Sequence, residues 1–256
     1  MTKKEFQELK EEFAAVTCKF EQFNKKINEI RAKYNKYFFD QIQTTKHIMA
    51  ETVLLTNLVS LKAKGESDDT IEKTKNDFVN KVLSEEKEDI LNHTKLTRIA
   101  DNFENTSKED NEKFEFLVEN FILDYHPYVN INMNPNVQNV FKLLMKFYYE
   151  NNIGGFEEVF EMNKQALSHP ELAEEDYNRA QTLYNQFKMF YQKNYNDNKN
   201  KFPLNKQIVF LNDVALDSER DELEIAIKKE LKMNEAIHKD YVATFGSDYK
   251  IPFVNR

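Results

Sequence analysis

The chain has 256 residues, of which only four are Gly and five are Pro, and 31% of them are charged. So few helix-breaking residues exclude a sheet protein and predict an all-α fold with long, solvent-exposed helices, while 21 Phe residues exclude a disordered chain. The net charge of -8 argues against nucleic acid and against anionic membrane surfaces as partners.

Three further features predict a cytoplasmic protein. Cys18 is the single cysteine, so the chain has no internal disulfide bond and fits a reducing compartment. The first residues, Met1–Glu5, lack the apolar core of a secretion signal. The longest apolar runs, such as Val53–Leu55, are too short to span a bilayer. We therefore expect a soluble protein without membrane contact.

The first segment carries the most regular apolar pattern in the chain. Its apolar residues lie alternately three and four residues apart over about five heptads, as in a coiled coil. They are Phe6, Leu9, Phe13, Val16, Phe20, Phe23, Ile27, Ile30, Tyr34 and Tyr37. This seam must be buried, either against other helices of this chain or in a homodimer through this helix. Cys18 lies outside the seam, at heptad position f, so we expect its thiol to face solvent.

The seam helix is predicted to turn back on a second helix. Lys64 and Gly65 are typical of a helix C-terminus, with a basic last turn and a Gly that can adopt the left-handed conformation. Residues 67–69 offer N-caps for the next helix, whose apolar residues extend to Phe103. Residues 1–105 are thus predicted to form a long antiparallel, coiled-coil-like helical hairpin.

Residues 106–170 are predicted to form a small three-helix unit. Ser107 and Asp110 resemble a capping box at the start of its first helix. The second helix ends near Gly154 and Gly155, and the third stops at residues 168–170. Residues 171–256 form the C-terminal part, with a last long helix capped at residues 217–218. We expect the tail after Gly246 to be loosely held.

The loop between the first two helices of this unit is the most informative stretch of the chain. It contains Tyr125-His126-Pro127-Tyr128, followed by Asn130, Asn132, Asn134 and Pro135. Two Pro and several Asn residues in so short a stretch cannot continue a helix. Helix, His-Pro loop and helix form the central layout of a J-domain.

In this order of elements the chain resembles a group of bacterial J-domain-like proteins, in which long charged helices flank a short J-like core. Their core has Leu-x-His-Pro-Asp-x-Asn-Pro, then a helix ending in an aromatic residue, a turn with Gly and another helix. Leu123 to Asn130, Phe147-Tyr148-Tyr149 and Gly154 to Glu158 follow this pattern, and Phe202-Pro203 matches a turn found further downstream. The resemblance implies a co-chaperone or adaptor of a DnaK-type chaperone.

Two departures argue against the activity of a J-domain. The family motif has Asp after His-Pro, where this chain has Tyr128, which carries no carboxylate. The helix before the motif is normally basic, whereas residues 107–125 contain two basic and six acidic residues, a net charge of -4. Electrostatic steering toward an acidic chaperone would be repulsive. We expect the His126 ring to hydrogen-bond the loop backbone, while Pro127 ends the helix.

The residue patterns predict a non-enzymatic protein-interaction or scaffold protein without catalytic residues, cofactor or metal. Its candidate interaction loop consists of Tyr125, His126, Pro127, Tyr128 and Asn130, of which Tyr125, Tyr128 and Asn130 are expected to be exposed. The alternative is a J-domain-derived co-chaperone or adaptor. A metal-binding bundle enzyme would depend on one Glu-x-x-His, Glu235 and His238, where di-iron bundles need two copies.

Overall fold

A computed structural model describes residues 1–165, 167 and 171–253, and it confirms the all-α fold. These residues form α-helices and two short 3-10 helices, with no β-strand among them. The α-helices are α1 (Lys3–Ala63), α2 (Asp68–Asn105), α3 (Lys108–Tyr125), α4 (Pro135–Tyr149), α5 (Ile153–Asn163), α6 (Tyr177–Asn198) and α7 (Asp213–Phe245). The 3-10 helices are Glu174–Asp176 and Leu204–Phe210. None of the described helices is long and apolar enough to cross a membrane.

The chain divides into two compact units. Unit 1 comprises Met1–Lys33 and Thr97–Gln207, and unit 2 comprises Tyr34–Leu96 and the chain from Ile208 onward. The predicted stop of α5 at residues 168–170 lies outside the described residues. The antiparallel hairpin of residues 1–105 stays a prediction.

In unit 1 the seam of α1 packs against α6 through a ladder of aromatic rings. Phe6, Phe13 and Phe20 recur every seven residues, as do Tyr177, Tyr184 and Tyr191. Each Phe stacks on one Tyr, with ring centroids 4.1, 4.3 and 4.1 Å apart in chain order. Because the paired positions advance together, α1 and α6 run parallel. The expectation that this seam packs on another helix of the chain is confirmed.

Cys18 is buried, so the expectation of a solvent-facing thiol is wrong. Its side chain is 7% exposed and lies in a core formed with residues of α3, including Phe114 and Val118. In unit 1, α1 is therefore covered on two sides, by α6 on its seam and by the core of α3, α4 and α5 on another side. Burial, together with nearby Glu119 and Glu115, raises the pKa of Cys18 to about 12. The thiol is therefore protonated at neutral pH and is a poor nucleophile.

Of the two helix N-caps predicted at Ser107 and at residues 217–218, the structure confirms one. The Ser107 hydroxyl accepts the backbone N–H of Asp110 at 3.0 Å, which confirms the predicted start of α3. The last helix, by contrast, begins earlier than predicted from residues 217–218. Asn212 caps it by accepting the N–H of Ala215 at 2.9 Å. The side-chain oxygen of Asn212 accepts a free helical N–H as well as the oxygen of the predicted Asp or Ser would.

The C-terminal segment of unit 2 is packed rather than loose, so that expectation is also wrong for residues 247–253. Ile251 is fully buried in a core with Leu54, Leu55 and Ile71. Gly246 ends α7 with φ of 73°, the left-handed conformation that Gly adopts without strain. This turn directs the chain into the apolar core, where side-chain burial compensates for the ordering of a non-helical segment.

Candidate interaction site

The His126 loop joins α3 to α4, and its histidine is a buried structural residue. His126 is 3% exposed, and its Nδ1 accepts the backbone N–H of Tyr128 at 3.1 Å. This confirms the expected hydrogen bond to the loop backbone. Because Nδ1 is the acceptor, the neutral ring carries its proton on Nε2. That nitrogen faces Oε1 of Glu21, on α1, at 3.3 Å.

Glu21 is the centre of a buried polar network between α1, α4 and the loop. Its carboxylate is 7% exposed and receives hydrogen bonds from His126, from the Tyr149 hydroxyl and from Asn24 Nδ2. Burial alone would raise the pKa of Glu21, but these donors outweigh it and hold the pKa below its ordinary range. The network therefore depends on an ionised carboxylate, which ties the loop to α1.

A second buried pair lies one turn further along the same face of α1. Lys25 Nζ donates to Glu115 Oε1, on α3, at 2.7 Å, and the Tyr148 hydroxyl donates to the other oxygen at 2.6 Å. The ammonium also lies over the rings of Tyr148 and Phe114, at 4.7 and 5.0 Å from their centroids. Burial lowers the pKa of Lys25, although Glu115 opposes this shift. These groups bind one another across three helices, which is a structural arrangement.

This second face of α1 was missed in the sequence. Cys18, Glu21, Lys25 and Asn28 recur at spacings of three and four, and Asn28 donates to the backbone oxygen of Tyr149 at 2.7 Å. The helical spacing was a usable signal. Because most of its members are polar, the stripe has the appearance of an exposed surface until its partners on α3 and α4 are known.

Of the residues expected to be exposed on the loop, only Tyr128 is. Tyr125 is half-buried, and Asn130 is only 4% exposed, which corrects the expectation. Asn130 is buried because its amide donates to the backbone oxygen of Leu123 at 3.1 Å, where α3 ends. A buried carbonyl at a helix end requires such a donor. The structure thus brings His126 and Asn130 together as the internal frame of the loop, with Tyr128 at its surface.

Tyr128 is held by α6. It is 44% exposed, and its ring stacks on Phe187 with centroids 4.0 Å apart and an interplanar angle of 15°. The neighbouring backbone oxygen of Val129 accepts the Tyr184 hydroxyl at 2.6 Å. Tyr128 thus carries an aromatic ring that fastens the loop to α6, the helix on which the α1 seam packs.

The residues of the candidate metal motif are placed in unit 2. Glu235 is exposed, whereas His238 is joined to Asp248 and lies near Glu51. Across the described residues, no group of three or more His, Cys, Asp or Glu side chains is arranged to hold a metal ion.

An exposed apolar surface occurs where the second 3-10 helix meets α7, in unit 2. Ile208, Leu211 and Val214 are three residues apart and are 66, 70 and 79% exposed. We call these three residues the 208–214 surface. Nearby Leu216 faces inward, against the core of Tyr34 and Phe38. A short apolar stretch does not by itself distinguish its inner from its outer side chains, so this exposure is visible only in the structure.

No protein-family model matches the chain, and neither a curated protein nor a solved structure matches it. Its function is therefore inferred from the contacts and exposures described above.

Proposed function

We propose that the chain is a non-enzymatic, cytoplasmic scaffold that binds a protein partner through the 208–214 surface. The exposure of Ile208, Leu211 and Val214 within seven residues is the observation that carries the proposal. Single exposed apolar residues are ordinary on protein surfaces, whereas a group of large ones is typical of an interaction site. Burying three aliphatic side chains against a partner would provide a substantial hydrophobic contribution to binding.

The arrangement of the buried polar groups also supports a binding protein. Glu21 and Glu115 accept hydrogen bonds from residues on neighbouring elements, and each lies inside a structural network. The stacking of the α1 seam on α6 supports closure of this seam within one chain over closure in a homodimer.

The alternative is an adaptor of a DnaK-type chaperone, and the exposure of Tyr128 on the His-Pro loop favours it. Binding there would involve an aromatic ring instead of the carboxylate of a J-domain. The net charge of -4 on residues 107–125 argues against an acidic chaperone surface as the partner. We therefore place this alternative second.

Affinity capture from a native lysate tests the proposal when two matched variants are compared. In the first, Ile208, Leu211 and Val214 are all replaced by Ser. In the control, Ser replaces three equally exposed residues elsewhere, Leu91, Phe116 and Met162, which are 72, 69 and 77% exposed. We expect the first variant to lose a specific partner by about tenfold or more, as at binding hot spots, while the control retains it.

Circular dichroism must show that both variants keep the helical fold of the natural chain. Equal recovery of every partner by the two variants would show that the 208–214 surface is not the binding site. A partner lost only when Tyr128 is replaced by Ala would favour the loop instead.

A further inference from the structure

The C-terminal segment of unit 2, residues 247–253, is held in place by side chains. It contains no helix or strand, yet Ile251 is fully buried. Lys75 Nζ, on α2, lies 5.1 Å from the ring centroid of Tyr249, and the Phe253 ring stacks on His47, on α1, at 3.8 Å. Such a segment can detach without the disruption of any helix, since its attachment depends on a few side chains.

His238, on α7, connects this segment to α1. Its Nδ1 lies 2.7 Å from Oδ1 of Asp248, in the segment, and its Nε2 lies 3.4 Å from Oε2 of Glu51, on α1. The other oxygen of Glu51 accepts the backbone N–H of Ile251 at 3.3 Å. Glu51 is only 8% exposed. One imidazole on α7 is therefore placed between two carboxylates, one of which binds the segment directly.

The protonation state of His238 decides how many of these contacts are attractive. A neutral imidazole has a single N–H, so when Nδ1 donates to Asp248 the lone pair of Nε2 faces the Glu51 carboxylate. An imidazolium ion donates from both nitrogens and attracts both carboxylates. The hydrogen bond from His238 also holds the pKa of Asp248 below its ordinary value.

The other charged groups around His238 nearly balance one another. Glu235 and Lys239 on α7, and Lys250 in the segment, line the same cavity of about 750 Å³ together with Glu51 and Asp248.

We propose that residues 247–253 form a pH-sensitive latch, which protonated His238 closes and neutral His238 loosens. The attachment is complete while His238 is protonated and both carboxylates are ionised, and it weakens when the imidazole loses its proton. Loosening withdraws Ile251 from the core of Leu54, Leu55 and Ile71 and makes that apolar surface accessible. The inference is independent of the 208–214 surface.

Hydrogen exchange of the 256-residue chain, followed by mass spectrometry at about pH 5.5 and about pH 8, tests the latch across the titration range of histidine. After correction for the intrinsic effect of pH on exchange, we expect the protection of residues 247–253 to fall about fivefold at the higher pH, as for the loss of a charge-assisted hydrogen bond at a partly exposed site. Residues 34–38 on α1, which contribute Tyr34 and Phe38 to a separate core, provide the internal reference. Equal protection of the segment at both pH values would overturn the proposal.

Three variants identify the group that titrates. The His238→Gln variant should lose the pH dependence, because its amide does not titrate. His93→Gln is the matched control in the same unit, since the His93 Nδ1 contacts the side chain of Asn35 at 2.8 Å and the ring does not hold the segment. His47→Gln tests the other histidine beside the segment, which lies 3.6 Å from Glu86. If the protection of residues 247–253 still depends on pH in His238→Gln but no longer in His47→Gln, the assignment to His238 is wrong.

Discussion

Replacement of Phe13 by Ala is expected to lower the free energy of unfolding by about 4 kcal/mol, within the usual range for truncation of a buried aromatic residue. Phe13 is fully buried, and its ring lies between Tyr184, at a centroid distance of 4.3 Å, and Tyr191, at 6.3 Å. Removal of the ring leaves a cavity at the centre of the aromatic ladder, where α1 and α6 have little freedom to collapse. Urea denaturation followed by circular dichroism measures the change.

Phe116→Ala is the control for this prediction. Phe116 is 69% exposed on α3, so its truncation should change the free energy of unfolding by less than about 0.5 kcal/mol. Equal effects of the two substitutions would mean that the seam of α1 is not buried within the chain. The interaction of this seam with a second copy would then have to be reconsidered, and sedimentation at several protein concentrations would detect it.

Replacement of Glu21 by Gln is expected to cost about 3 kcal/mol at pH 7, as for removal of one partner from a buried pair. The amide keeps the size of the side chain but loses its charge, and its NH2 group is directed at a donor. The pKa of Glu21 is lowered in the folded protein, since hydrogen bonds from His126 and Tyr149 overcome the effect of burial. Its stabilising contribution is therefore present above the ordinary carboxyl pKa of about 4.3 and is lost as the pH falls through the lowered value.

The pH dependence of stability distinguishes loss of the Glu21 charge from a simple packing defect in Glu21→Gln. The difference in unfolding free energy between the natural chain and Glu21→Gln should shrink below about pH 4, because the unfolded chain then takes up a proton on this carboxyl, and it should vanish as the pH falls through the lowered pKa of the folded state. Glu112→Gln provides the control, since Glu112 is an exposed residue of α3 that lies 3.7 Å from Lys108 in a surface ion pair. It should change stability by less than about 1 kcal/mol at either pH. A difference for Glu21→Gln that stays constant to pH 3 would contradict the role of its charge.

The fold could be predicted where a pattern repeats. The spacing of Phe6, Phe13 and Phe20 identified a helical face that must be buried, and Tyr177, Tyr184 and Tyr191 have the same period. The sequence did not identify α6 as the partner, because a periodic stripe specifies that a face is buried and leaves open what covers it.

The errors arose where burial depends on contacts between distant parts of the chain. Cys18 lies outside the seam, and only the core built by α3 shows that its side of the helix is also covered. Asn130 was expected to be exposed because it lies in the candidate interaction loop, yet its amide donates to carbonyls at the end of α3. Ile251 follows a helix-ending Gly, and its burial depends on α1 and α2, which are distant in sequence. In each case local sequence does not contain the deciding contact.

The His126 loop is fixed to α1 and α6, and we propose that the chain acts by binding rather than by stimulating a chaperone. Single-turnover ATP hydrolysis by a DnaK-type chaperone, with and without the natural chain, tests this claim most directly. We expect the same rate of hydrolysis in both reactions, since the residue after His126-Pro127 is Tyr128, which carries no carboxylate and stacks on Phe187. Faster hydrolysis in the presence of the natural chain would contradict it and would make the chain a co-chaperone.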